Sequence, residues 1–197
     1  MEAARATDLP ETFADLFAGI DPGDRAEVEQ IFVKLTDHLG INAGRTFGRL
    51  AAGQPLYEAL GLPRAALDLL YQRGFGWLAL ERFDRAEPLF RALCLLCPGK
   101  SEYWLGLGIA AGASGKAEVA RATFDQLRAS RPDWGALAFH ELAFHQRAGR
   151  WDEAAEALRR FDKSDRSDLA PAALREVERL RALLTARPSN GEAKERT

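Results

Sequence analysis

Between residues 67 and 166 one pattern returns three times at a fixed spacing of 34 residues. Ala86, Ala120 and Ala154 share one column, Phe90, Phe124 and Leu158 a second, and Leu93, Leu127 and Phe161 a third. Gly74 and Gly108 mark an earlier helix in the first two units, and Pro98 and Pro132 close those units. The middle unit carries Trp104, Leu107, Gly108, Ala120, Phe124 and Pro132 at the offsets of a tetratricopeptide helix pair. Each column has a physical reason. Glycine and alanine let two helices approach closely, where a larger side chain would overpack the contact. The aromatic column fills the gap between neighbouring pairs, and proline stops the second helix because it cannot continue the hydrogen-bond ladder. A single pair cannot bury its apolar face alone, so such pairs stack on one another. The predicted fold is all-α, with three tetratricopeptide repeats in a right-handed solenoid, N-terminal helices and a C-terminal capping helix.

The 197 residues suit one domain with an extension, and the formal net charge of −2 supplies no global basic field for nucleic acid or anionic lipid. Residues 1–9 contain acids and no continuous apolar core, unlike a signal peptide. No apolar run approaches the roughly 18 residues of a membrane span. A soluble cytoplasmic protein without direct membrane insertion is expected.

Residues 1–62 read as an N-terminal helical extension, 63–187 as the repeat domain with its capping helix, and 188–197 as a disordered tail. Within the extension, Phe13, Leu16, Phe17 and Ile20 stand at helical spacing, and Val28, Ile31, Phe32, Leu35 and Leu39 form a second stripe from about Asp24. This extension could cap the first repeat, form a dimer interface or touch cargo. The first repeat is expected at about Arg64–Leu80 and Asp84–Cys97, the second at Ser101–Ala113 and Lys116–Ser130, with Ser101 as an N-cap. The third begins near Asp133; Leu142 replaces its column glycine and Arg166 its closing proline. A final helix over Asp168–Ala186 would bury Leu174, Val177, Leu180, Leu183 and Leu184.

Catalytic motifs are lacking: no Ser-His-Asp set, HExxH, phosphate loop or dinucleotide glycine motif occurs. His140 and His145 are five apart, off the i, i+4 spacing of two metal ligands on one helical face. Cys94 and Cys97 have C-x-x-C spacing but no second cysteine pair, and they fall late in a helix, so they read as packing residues. No enzyme activity, metal or cofactor is expected. Basic residues alternate with acids, which argues against nucleic acid. The concave side of the repeats is the remaining candidate, and the first helix of each pair lines it. The apolar residues there are Tyr71, Phe75, Leu78, Leu105, Ile109 and Phe139, a surface for an extended apolar peptide. The chain's own terminal helices could fill the same groove.

The segments Leu70-Tyr71, Gly74-Phe75, Phe83–Cys94 and Tyr103-Trp104-Leu105-Gly106-Leu107-Gly108 resemble the translocator-class chaperones of type III secretion, the LcrH/SycD-like family. The resemblance is best over residues 65–125. It implies a chaperone that binds hydrophobic translocator proteins before export and so prevents aggregation or premature assembly. A translocator segment with spaced prolines would dock in the groove, and N-terminal helices would form a homodimer. By matching position it makes Tyr71, Phe75, Leu105 and Ile109 groove residues. The alternatives are a tetratricopeptide adaptor or regulatory scaffold, and a needle-subunit co-chaperone that grips a helix.

Overall fold

The computed structural model describes residues 42–186. The helices expected over 10–20 and 24–39, and the tail after 187, lie outside the described residues. Among the described residues there are nine helices and no strand: α1 Ala43–Ala51, α2 Leu56–Ala59, α3 Arg64–Ala79, α4 Phe83–Leu96, α5 Ser101–Ala113, α6 Ala117–Ser130, α7 Gly135–Arg147, α8 Trp151–Lys163 and α9 Pro171–Thr185. The pairs α3/α4, α5/α6 and α7/α8 are the three repeats. The chain divides into two compact units, one ending at Gln126 and one beginning at Leu127.

The turn inside each pair is built the same way three times. Arg82, Lys116 and Arg150 donate their backbone N–H to the carbonyls of Trp77, Ala111 and His145, at 2.8, 2.9 and 2.9 Å. Glu81, Gly115 and Gly149 stand immediately before those donors and are left-handed, with φ of 55°, 79° and 69°. This closure returns the last carbonyls of the first helix to hydrogen bonds, and it requires a positive φ. The first repeat therefore places a glutamate where the others place glycine, a conformation that costs a side-chain-bearing residue about 1 kcal/mol. Glu81→Gly should raise the unfolding free energy by up to about 1 kcal/mol, whereas Gly115→Ala should lower it by a similar amount. Urea titrations of the two variants against wild type read both signs.

The first unit is centred on Phe90. Its ring is buried among Leu67, Ala86, Leu93, Cys94, Tyr103, Leu107 and Ala110. It occupies a slot between two glycines on different helices. A Cβ added to Gly74 of α3 would lie 3.1 Å from the ring, and one added to Gly106 of α5 would collide with it outright. The same device recurs one repeat on, where a Cβ at Gly108 would meet the Phe124 ring at 2.5 Å. Ala86, Ala120 and Ala154 are all completely buried, as their column requires. Glu87 is buried too, and its carboxylate takes 2.6 Å hydrogen bonds from both Arg91 and Lys116. The Lys116 bond ties α4 to the turn between α5 and α6, and it holds the Glu87 carboxyl below its ordinary range. Ser101 is the first residue of α5 and not its cap. Lys100 occupies the N-cap position in extended backbone and makes no side-chain cap bond. Shifted one place into the helix, the Ser101 hydroxyl is not available as the N-cap acceptor.

In the second unit small residues replace the missing glycine. Leu142 is fully buried against Ala138, Ala154 and Ala157, with Leu158 and Phe161 beside them. Glu141, on the same helix, is buried and accepts from Arg128 and, at 2.8 Å, from Arg160, which links α7 to α6 and α8. The absence of a closing proline at 166 also has a structural reason. The chain after α8 runs back to the start of α7: Gly135 N–H donates to Asp165 O at 2.9 Å, and Asp165 N–H to Asp133 O at 2.9 Å. The Trp134 indole N–H donates to Asp168 at 2.8 Å. A side chain at Gly135 would strike the Asp165 carbonyl. The last helix starts at Pro171, three residues later than expected, because Asp168 is engaged with Trp134. Val177 and Leu180 are buried as expected, but Leu174 and Leu183 are exposed. They stand 9 residues apart, on opposite sides of the helix, so one packed face cannot bury both.

Candidate functional site

Among the described residues no group of three or more His, Cys, Asp or Glu side chains is placed to hold a metal. Cys94 is buried beside Phe90, and burial pushes its thiol up to about 12. Cys97 is raised in the same direction, chiefly by burial. Both are free thiols. No described helix is long and apolar enough to cross a membrane.

The residues expected to bind a peptide are placed unequally. Tyr71 and Phe75, one turn apart on α3, touch ring to ring with centroids 6.4 Å apart. Tyr71 meets Phe90 edge-on at 6.0 Å and Tyr103 of α5 at 5.5 Å. It is thus a half-buried link between the core and the surface, its phenol raised by burial and by the Glu102 carboxylate. Phe75 continues that aromatic row outward and is 60% exposed. Leu78 packs, half-buried, against the Phe90 cluster. On α5, Ile109 is half-buried, but Leu105 is only 8% exposed. Phe139 belongs to the second unit, where it packs partly buried against the Leu142 core, its ring 4.7 Å from His140. The structure therefore joins Tyr71 and Phe75 directly, packs Leu78 against the same core cluster as Tyr71, and gives Leu105 a largely internal position. Tyr103 was not singled out by the sequence pattern. It falls in a helix column that repeats only as Leu69 and Leu137, so no aromatic periodicity marks it.

What an exposed phenylalanine on an aromatic row can do is bind, not react. Its ring offers apolar area at little conformational cost, and the row behind it fixes its orientation. Solved structures of similar fold place the chain. This chain resembles the type III secretion translocator chaperones. It is similar to PcrH in complex with the chaperone binding region of PopD, at 27% identity and a TM-score of 0.52, covering 64% of this chain and 93% of that one. PcrH from Pseudomonas aeruginosa gives 25% identity and a TM-score of 0.55, over 64% and 96% of the two chains. The Yersinia enterocolitica translocator chaperone SycD shares the fold at 21% identity and a TM-score of 0.57, over 68% and 99%. No protein-family model matches the sequence, and no curated protein matches it significantly. The likeness to translocator chaperones covers nearly the whole of the matched chains, and the remaining third of this chain is additional to it.

Two histidines give this chaperone-like fold a pH dependence. His140 is lowered to about 4 by burial, with Arg147 adding to the effect. His145 is lowered by burial and by Arg150, and its Nδ1 is buried without a hydrogen-bond partner. A histidine with a depressed folded-state pKa takes up its proton in the unfolded chain first, so acid favours unfolding. Stability is complete above about pH 6.5 and should fall as pH drops from there toward 4, by at most about 3 kcal/mol for His140. Melting curves between pH 7.5 and 4.5 should slope downward with acid, and His140→Gln should flatten that slope.

Proposed function

We propose that this protein is a non-enzymatic cytoplasmic chaperone of a bacterial type III secretion system. It would hold a hydrophobic translocator in an export-competent form by covering an apolar segment of that protein. The observation that carries the reading is the aromatic row ending in Phe75, on a fold similar to PcrH, which has been solved with the chaperone binding regions of PopD and PopB at 27% and 26% identity to this chain. The bound segment here would be extended and apolar, with one side chain seated against Phe75 and Tyr71, and Leu78 and Ile109 flanking it. Residues 63–187 would carry binding. Homodimerisation through the N-terminal extension accompanies this reading, and SycD has been solved in a form described as an alternative dimer. An adaptor that holds a folded soluble partner would have no need of an exposed aromatic at the end of such a row. The test is co-purification with a translocator of the same bacterium: soluble translocator should be recovered with wild type and lost with Phe75→Glu.

A further inference from the structure

Two arginines meet on one tryptophan ring in the first repeat, and neither has an acid to pair with. The Cζ of Arg73, on α3, lies 4.7 Å from the centroid of the Trp77 ring, and that of Arg85, on α4, lies 4.9 Å from it. Trp77 packs partly buried against the Phe90 cluster, which holds the ring in place. Both arginines are exposed, and neither makes an ion pair among the described residues. Elsewhere helix arginines take local carboxylates, as Arg91 takes Glu87, Arg159 takes Glu156 and Arg179 takes Glu176. Asp84, next to Arg85 in sequence, is engaged with Arg82 at 3.4 Å. The repeat does not demand this arrangement. The equivalents of Arg73, Trp77 and Arg85 are Leu107, Ala111 and Val119 in the second repeat, and Glu141, His145 and Glu153 in the third. Two cations gathered on one ring repel each other, and an anion placed on both relieves that repulsion.

The ground around the pair is apolar. Leu69, Arg73, Gly76 and Trp77 share one side of α3 by their spacing. Leu69 is 68% exposed, and open space lies where a Cβ on Gly76 would point. Phe75 stands two residues from both Arg73 and Trp77, about 160° round the helix from each. This surface is therefore separate from the one offered to a translocator. Tryptophan and arginine are the side chains that most often carry binding energy at protein interfaces. An arginine held over a ring keeps its N–H fork for a carboxylate and has less freedom to lose on binding. A second copy docked through the same patch would set arginines against arginines, an unfavourable two-fold contact. We propose that the Arg73, Trp77 and Arg85 surface binds an acidic segment of a partner protein, with carboxylates on the two guanidiniums and an apolar side chain against Leu69 and Trp77.

A short fluorescent peptide of glutamate and leucine, titrated with the full-length protein and followed by anisotropy, tests this beside the same peptide with lysine for glutamate. The glutamate peptide should bind and the lysine peptide should not. Raising the salt from about 0.05 to about 0.5 M should weaken binding at least about tenfold. Arg73→Ala with Arg85→Ala should weaken it by a similar factor, and Phe75→Glu should leave it unchanged. Arg73→Glu with Arg85→Glu should reverse the preference in favour of the lysine peptide, a gain that loss of the fold cannot produce. Failure of the glutamate peptide to bind, or binding indifferent to Arg73→Glu with Arg85→Glu, would overturn the proposal. Binding lost in Phe75→Glu would move the acidic segment to the translocator surface and would overturn it equally. None of these readouts involves a translocator, so the chaperone reading and the acidic contact can fail separately.

Discussion

Gly106→Val should be among the most destabilising single substitutions in the first unit. The position lies in the middle of α5, and a Cβ there already collides with Phe90. Valine adds two methyl groups to the collision. The ring cannot retreat easily, because its other edge lies against Gly74, where even a Cβ would be 3.1 Å away. Phe90 is buried, and its neighbours Ala86, Leu93 and Ala110 have no exposed area to yield. Overpacking of a filled site costs about 1–3 kcal/mol and at times more, and a rigid slot between two helices belongs at the top of that range. A melting temperature at least about 10 °C below wild type is expected, with binding lost as a consequence of unfolding. Gly76→Ala, on the open face of the neighbouring helix, is the control: it should be neutral or slightly stabilising, since alanine favours the helix by about 1 kcal/mol over glycine.

Phe75→Glu should do the opposite, leaving the melting temperature nearly unchanged while abolishing client binding. With 60% of its surface in water, Phe75 contributes little to the core. A phenylalanine side chain has about 200 Å² to bury, so a client that covers the exposed part removes about 120 Å². At about 25 cal/mol per Å² that is about 3 kcal/mol, or about a hundred-fold in affinity. The glutamate would add the cost of desolvating a charge against an apolar client. Pairing this change with Leu105→Glu, as the repeat pattern alone suggests, would mislead. Leu105 is nearly buried, so a glutamate there would unfold the repeat and imitate a binding defect.

The contrast between Phe75 and Leu105 shows what the sequence made legible. Periodicity reports which residues share a helix face. The three buried alanines and the Phe90 and Phe124 plugs follow from spacing alone. Depth does not follow, because it depends on how closely two neighbouring helices approach, and that is set here by Gly106, a residue whose column reads Gln72 and His140 in the other repeats. Glu81 was hidden for a related reason. The turn needs a left-handed residue, and the register had to be known before a glutamate could be seen in a glycine column. The strap between Asp165 and the start of α7 is made by backbone groups, which leave no side-chain signature. The final helix misled because Leu174 and Leu183 carry apolar side chains that no neighbouring element covers. Exposed leucines are ordinary on helices, and alternation alone cannot tell them from buried ones.

The central claim is that the Phe75 surface takes a hydrophobic translocator. Immobilised wild-type protein and the Phe75→Glu variant, exposed to lysate of the source bacterium, should differ in one respect when the retained proteins are identified by mass. Wild type should hold a protein with membrane-spanning helices that the variant does not hold. Retention of the same translocator by both would move the binding surface away from Phe75, and retention of soluble partners alone by wild type would contradict the chaperone function itself.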